Sequence, residues 1–206
     1  MNDEHDRISF RPMTAVDVGV VPISHQGEAA EVLTRITDLG ASAVLAFDGD
    51  QHVGQLQFRR YEPGIHSPRG LWDPLYWGDF ADHAPDLPAG TLAVFCYHVG
   101  QCDDTDARDP RYQGRGLGLR LLDYFLDWAK LAGFETVVAK AVPPYRPVML
   151  FMGGQPASVY QARGFEVVAS WVDSELHAVV KERSLVPAGV SSADAARVSC
   201  CVRRLR

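Results

Sequence analysis

The sequence predicts an α/β chain, and three observations carry that prediction. Strand-like and helix-like runs alternate along the 206 residues. A triple-glycine turn, Gln113-Gly-Arg-Gly-Leu-Gly118, opens directly into a stretch in which Leu117, Leu121, Leu122, Phe125, Trp128 and Ala129 recur at three- and four-residue intervals. That spacing makes an amphipathic helix with one face on a core. Gly133 then stops the helix, and Phe134–Ala141, with Val137 and Val138 at its centre, reads as a buried strand.

The remaining elements follow in order. Residues 1–6 are polar, and Arg7–Pro12 alternates as a short first strand. Gly27–Leu39 carries Ala30, Val32, Leu33 and Ile36 at helical spacing, with Gly40 as its stop. Ala43–Phe47 and Val53–Phe58 flank Asp48-Gly-Asp-Gln51, a hairpin signal. Residues 61–90 are rich in Pro, Gly, Asp and aromatics without periodicity, which reads as a long functional loop or insertion. Thr91–Val99 is apolar at its start and reads as a central strand. Downstream the pattern leaves two options. Glu166–Lys181 turns back on itself at Asp173-Ser174, or it forms one long strand, with Val198–Leu205 as the last strand and Ser184–Ala196 a mobile connection; the second is the better reading.

The glycine turn suits an anion. Gly114, Gly116 and Gly118 present no side chains, so backbone N–H groups can converge on phosphate oxygens where the helix dipole is positive. A Rossmann fingerprint requires glycine where Leu119 stands, and a P-loop requires Lys followed by Ser or Thr where Leu117 and Gly118 stand. What remains, Gln113-x-x-Gly116-x-Gly118, resembles the Q/R-x-x-G-x-G/A pyrophosphate loop of the GNAT superfamily of acyl-CoA-dependent N-acyltransferases. Downstream, Ser158-Val-Tyr-Gln-Ala-Arg-Gly-Phe-Glu166 is similar to that family's fourth helix and its turn into the next strand. The resemblance is strongest from about Leu92 to Glu166. It implies one acetyltransferase domain over 1–206, built on a mixed, mostly antiparallel central sheet flanked by helices, with a splayed fourth strand. An insertion at about 61–90 and a C-terminal segment 182–206 would be its additions.

The resemblance also implies a division of labour. Acetyl-CoA would be the co-substrate, with no metal. Gln113, Gly114, Arg115, Gly116, Leu117 and Gly118 would hold the pyrophosphate, and the main chain of Tyr97, His98 and Val99 the acyl carbonyl and pantetheine. Tyr160 matches the family's proton donor to the departing thiolate, and a phenol is protonated at neutral pH without perturbation. No general base stands out, and Glu62, His66, Asp73 and His98 are candidates. In Leu71–Phe80, aromatic Trp72, Tyr76, Trp77 and Phe80 lie beside Asp73 and Asp79, which suits an amine that is apolar yet cationic at rest. Trp72, Asp73, Tyr76 and Trp77 are the expected acceptor residues, against the alternative that the segment only packs on the domain or forms a dimer contact.

Composition narrows the classes. A hydrophobic fraction of 47% and a charged fraction of 22% are those of an ordinary globular protein. The net charge of −6 argues against nucleic acid or an anionic membrane as main partner. With no signal-peptide pattern and no 18-residue apolar run, the expectation is a cytoplasmic protein. Cys96, Cys102, Cys200 and Cys201 lack C-x-x-C spacing and read as reduced and structural. The loop Gly100–Pro110 holds four aspartates without the EF-hand spacing, so it reads as a solvated acidic loop. The expected function is N-acetyl transfer to a small-molecule or peptide amine, with a homodimer left open. The competing class is a catalytically silent acyl-CoA-binding or sensing module.

Overall fold

The structure, a computed structural model, describes residues 7–63, 80–105 and 107–205. Among the described residues, seven strands form one sheet in the order β1-β2-β3-β4-β5-β7-β6. Each register given below is antiparallel except that of β4 with β5. The chain divides into two compact units: residues 7–59 with 96–133, and residues 60–63, 80–95 and 134–205.

In the first unit, β1 (Ile8–Pro12), β2 (Ala43–Asp48) and β3 (Gln51–Arg60) pair antiparallel, with Phe10 opposite Ala46 and Val44 opposite Leu56. Gly49, at φ +60°, makes the tight β2–β3 connection that the hairpin signal predicts. Helix α1 (Ala29–Leu39) ends where Gly40, at φ +86°, donates its N–H to Ile36 O at 2.8 Å. Its Val32 is buried with Met13, Val21, Ala43 and Leu45. Helix α2 (Leu117–Leu131) covers the other face of β3, where Phe58 meets Phe125 at 4.8 Å and Trp128 at 4.9 Å between ring centroids. Alternation along β3 therefore sends Leu56 and Phe58 one way and Gln55 and Gln57 the other, all four fully buried.

In the second unit, the start of β4 (Leu92–Val99) runs parallel to β5 (Thr136–Ala141), with Leu92 opposite Val137 and Val94 opposite Ala139; β4 then continues five residues past that register. β7 (Arg197–Arg204) inserts between β5 and β6 (Glu166–Val172), antiparallel to both, so Val198–Leu205 does supply the last strand. Helices α3 (Arg146–Met152) and α4 (Ala157–Gln161) join β5 to β6.

The rest of the C-terminal expectation is corrected. Neither a hairpin at Asp173-Ser174 nor one long strand over Glu166–Lys181 forms. The strand stops at Val172 and helix α5 (Ser174–Glu182) begins. Asp173 causes the change: its carboxylate accepts the N–H of Leu176 at 2.9 Å as a helix cap and also pairs with the buried Lys140 ammonium at 2.7 Å. Leu176 and Val180, four residues apart, are then fully buried. The segment after α5 is tied down, with His177 Nε2 2.9 Å from Ser192 Oγ and the Ser191 hydroxyl donating to Asp194 at 2.7 Å.

Candidate active site

The glycine turn is built as its sequence requires. A short 3-10 turn, Pro110–Tyr112, is capped by Asp109, whose carboxylate accepts the Arg111 N–H at 2.9 Å and pairs with its guanidinium at 2.6 Å. Gln113 closes that turn, its N–H donating to Pro110 O at 3.2 Å. Gly114 and Gly116 then take φ of +68° and +75°, the left-handed region that only glycine enters without strain, and Gly116 becomes the N-cap of α2. The N–H groups of Leu119 and Arg120 both return to Gly116 O, at 3.0 and 3.1 Å. The N–H groups ahead of them are those that a helix start offers to an anion. Nothing lies within 4 Å of a Cβ built on Gly114 or Gly116, so the turn is open as well as left-handed.

Beside it lies a cavity of about 230 Å³ lined by Arg7, Ile8, Asp48, Arg111, Tyr112, Arg115, Leu117 and Arg120. Four arginines and one carboxylate residue line it, and Arg111 is already paired with Asp109. Asp48 is engaged by the Tyr112 hydroxyl at 3.0 Å, and burial together with that carboxylate raises the tyrosine pKa. Arg120 stacks over Phe10 at 4.8 Å and donates to Ile8 O at 3.3 Å, which holds β1 against the start of α2. Of these residues the motif reading named only Arg115 and Leu117. The available signal was a local one: Arg108, Arg111, Arg115 and Arg120 fall within thirteen residues of a chain whose net charge is −6.

Tyr97, His98 and Val99 close β4, and Gly100 follows at φ +80°. Tyr97 and His98 are buried. The backbone of β3 approaches closely, since a Cβ on Gly54 would stand 2.9 Å from His98 O. The His98 ring is edge-on to His25 with centroids 4.9 Å apart, and Arg108 Nη2 lies 3.1 Å from its Nδ1. Burial, reinforced by His25 and Arg108, holds its pKa well below 6.5, so the ring is neutral at pH 7. In the second unit Tyr160 is 1% exposed, at the start of the Tyr160–Phe165 turn, with its ring edge-on to Phe165 at 5.2 Å. Gly164, at φ +77°, makes that turn.

Of the base candidates, Glu62 is exposed, His98 is buried, and His66 and Asp73 fall outside the described residues. Trp72, Tyr76 and Trp77 also lie outside them. Phe80, grouped with these aromatics by the sequence reading, belongs to the core of the second unit: it is 2% exposed and packs on Tyr61 and Trp171. In the acidic loop, Asp103 accepts from the backbone and hydroxyl of Thr105, and Asp109 caps the 3-10 turn, so these carboxylates serve local turns. All four cysteines are free thiols. No helix among the described residues is long and apolar enough to cross a membrane.

A family model described as "Acetyltransferase (GNAT) family" matches residues 21–152, more than half of the chain. No curated protein matches it. Among solved structures, an acetyltransferase of the GNAT family from Streptococcus pneumoniae is similar, with a TM-score of 0.54 at 13% identity over 96% of this chain and 99% of that one. A phosphinothricin acetyltransferase from Sinorhizobium meliloti, solved in complex with AcCoA, gives 0.50 at 11% identity over 96% and 88%. A GNAT-like decarboxylase, GphF, in complex with isobutyryl-CoA, gives 0.50 at 16% identity over 96% and 100%. At these identities the structures establish a shared fold, the seven-stranded, mostly antiparallel sheet flanked by helices. The pyrophosphate-loop motif lies inside the matched segment, and the chain belongs to the acetyltransferase (GNAT) family.

Proposed function

We propose that the protein is an N-acetyltransferase that moves an acetyl group from acetyl-CoA directly to a primary amine. The observation that carries this reading is the arginine-lined cavity beside the left-handed glycine turn. Besides Arg111, which pairs with Asp109, the cavity is lined by Arg7, Arg115 and Arg120 in a chain that is acidic overall, and a diphosphate ester is an anion that such a lining suits. Gln113 to Gly118 would hold the diphosphate through backbone N–H groups, with Arg115 adding charge. The main chain of Tyr97, His98 and Val99 would take the acyl carbonyl and pantetheine. The co-substrate supplies the thioester; Tyr160 would return a proton to the thiolate sulfur. Trp72, Asp73, Tyr76 and Trp77 would receive the amine, within one domain that carries the 61–90 insertion and the 182–206 segment. We place the protein in the cytoplasm.

Arg115 is exposed, so its removal leaves the core intact. A charge-assisted hydrogen bond contributes about 1.5–3 kcal/mol, so Arg115→Ala is expected to raise the acetyl-CoA Kd by roughly 10- to 100-fold in calorimetry. Wild-type protein is expected to release free CoA when supplied with acetyl-CoA and primary amines. Tight binding without CoA release across an amine panel would reduce the protein to a binding module. Unchanged affinity in Arg115→Ala would remove the arginine cavity from the cofactor site.

A further inference from the structure

Behind β4, in the first unit, three side chains converge that the acyl-transfer reading does not use. Cys96 and His98 are alternate residues of β4 and share one face of the strand. His25 comes from a 3-10 turn, Ser24–Gln26, seventy-one residues earlier than Cys96. His25 Nδ1 lies 3.5 Å from Cys96 Sγ, and one ligand atom from each of the three residues falls within 4.8 Å of the other two. Cys96 and His98 are each 2% exposed, while His25 is half-buried and gives the cluster a side toward solvent.

A second, independent observation concerns His98. Its Nε2 is buried and has no hydrogen-bond partner. Unpartnered buried polar atoms are uncommon because each loses its hydration without replacement. Two imidazoles and a thiol, with no carboxylate among them, are the donors of a borderline-soft ion and not of calcium or magnesium. With Zn–N near ~2.0 Å and Zn–S near ~2.3 Å, tetrahedral ligand atoms stand about 3.5 Å apart. The His25–Cys96 edge already has that length, and the cluster closes by about 1 Å to reach it throughout.

We propose that His25, Cys96 and His98 form a zinc site of the two-imidazole, one-thiolate kind, open at its fourth position. On binding, the Cys96 S–H gives its proton to solvent and a Zn–S bond forms. Arg108, a donor only, now faces His98 Nδ1, so the proton of the neutral ring sits on Nε2. Coordination through Nε2 moves that proton to Nδ1 and releases Arg108 from the ring. Zinc would then pin the 3-10 turn to β4, adding a cross-link within the first unit.

Cobalt(II) serves as the spectroscopic probe and zinc as its competitor, both with the purified full chain. One equivalent of cobalt is expected to give a thiolate-to-cobalt charge-transfer band that zinc abolishes. Cys96→Ser is expected to remove the band, and His25→Ala, on a half-buried turn, to weaken zinc by about tenfold or more, at least the loss typical of ligand-supporting residues. Cys102→Ser keeps the band. Arg108→Ala, which frees His98 Nδ1, is expected to tighten zinc severalfold. Absence of the band in the wild type, or its survival in Cys96→Ser, overturns the site. Unchanged or weaker zinc binding in Arg108→Ala overturns the part given to His98.

Discussion

Gly100 joins the end of β4 to the loop that leads into the glycine turn, and its replacement by alanine tests how tightly the two are coupled. Its φ of +80° is left-handed, a conformation that costs an alanine about 1–2 kcal/mol. The added methyl carbon also has no room, because it would stand 2.6 Å from Asp109 O and 3.2 Å from Asp109 N. Asp109 must move, and its N–H now donates to Gly100 O at 2.8 Å; opening that bond costs about 0.5–1.5 kcal/mol more. The expected loss is thus about 2–3 kcal/mol, or roughly 5–10 °C in Tm for a chain of this size. Gly49→Ala is the control. It has the same handedness at φ +60°, but nothing lies within 4 Å of its methyl, so it should lose only about 1 kcal/mol. Thermal unfolding followed by circular dichroism compares the two. Acetyl-CoA affinity should fall in Gly100→Ala and hold in Gly49→Ala, since Asp109 caps the turn ahead of Gln113. Equal Tm losses in the two variants would refute the steric argument.

Two further outcomes follow from buried groups. Burial lowers the His52 pKa to about 4, outweighing the backbone groups of Gln101 and Gly54 that raise it, so below pH 6.5 the unfolded chain binds a proton that the folded one refuses. Stability is full above pH 6.5 and should fall by about 2 kcal/mol at pH 5 and about 3 kcal/mol at pH 4, with His98 adding in the same direction. Urea midpoints that stay level from pH 7 to 5 would contradict this. If Tyr160 supplies the proton, Tyr160→Phe should lower kcat by about 10²–10⁴-fold with the acetyl-CoA Kd unchanged; retention of more than about half of kcat returns Tyr160 to packing on Phe165.

Elements that signal through local chemistry were legible in the sequence. Gly40 and Gly116 stand where left-handed backbone is required, the alternation of β3 matches its two faces, and the α2 stripe meets Phe58 as its periodicity implies. Helix α5 was hidden because Val167–Val172 and Leu176–Val180 are both apolar-rich, and one capping carboxylate at Asp173 decides where strand gives way to helix. Asp173 is held there by Lys140, thirty-three residues away, which no local pattern reveals. The site divides in the same manner. The glycine turn is a contiguous motif, whereas Arg7, Asp48 and Arg120 reach one cavity from just before β1, from β2 and from α2, and His25 reaches Cys96 across seventy-one residues.

The polar face of β3 carries a buried amide network. Gln55 Nε2 donates to Pro22 O at 2.6 Å, which orients that amide and leaves its Oε1 as the acceptor for both Gln57, at 3.0 Å, and Gln26, at 3.3 Å. Gln57 Nε2 also serves Ile23 O at 3.1 Å. The three orientations are thereby determined together, since a carbonyl such as Pro22 O can only accept. All three amide nitrogens are committed, and Oε1 of Gln26 and of Gln57 remain buried with no partner. Each such oxygen costs about 1–3 kcal/mol, a penalty that aliphatic side chains at the same positions would avoid. The unmet need at this face is for donors. Gln26, Gln55 and Gln57 are each 0% exposed, so both acceptors are enclosed within the first unit and their cost is borne by the fold.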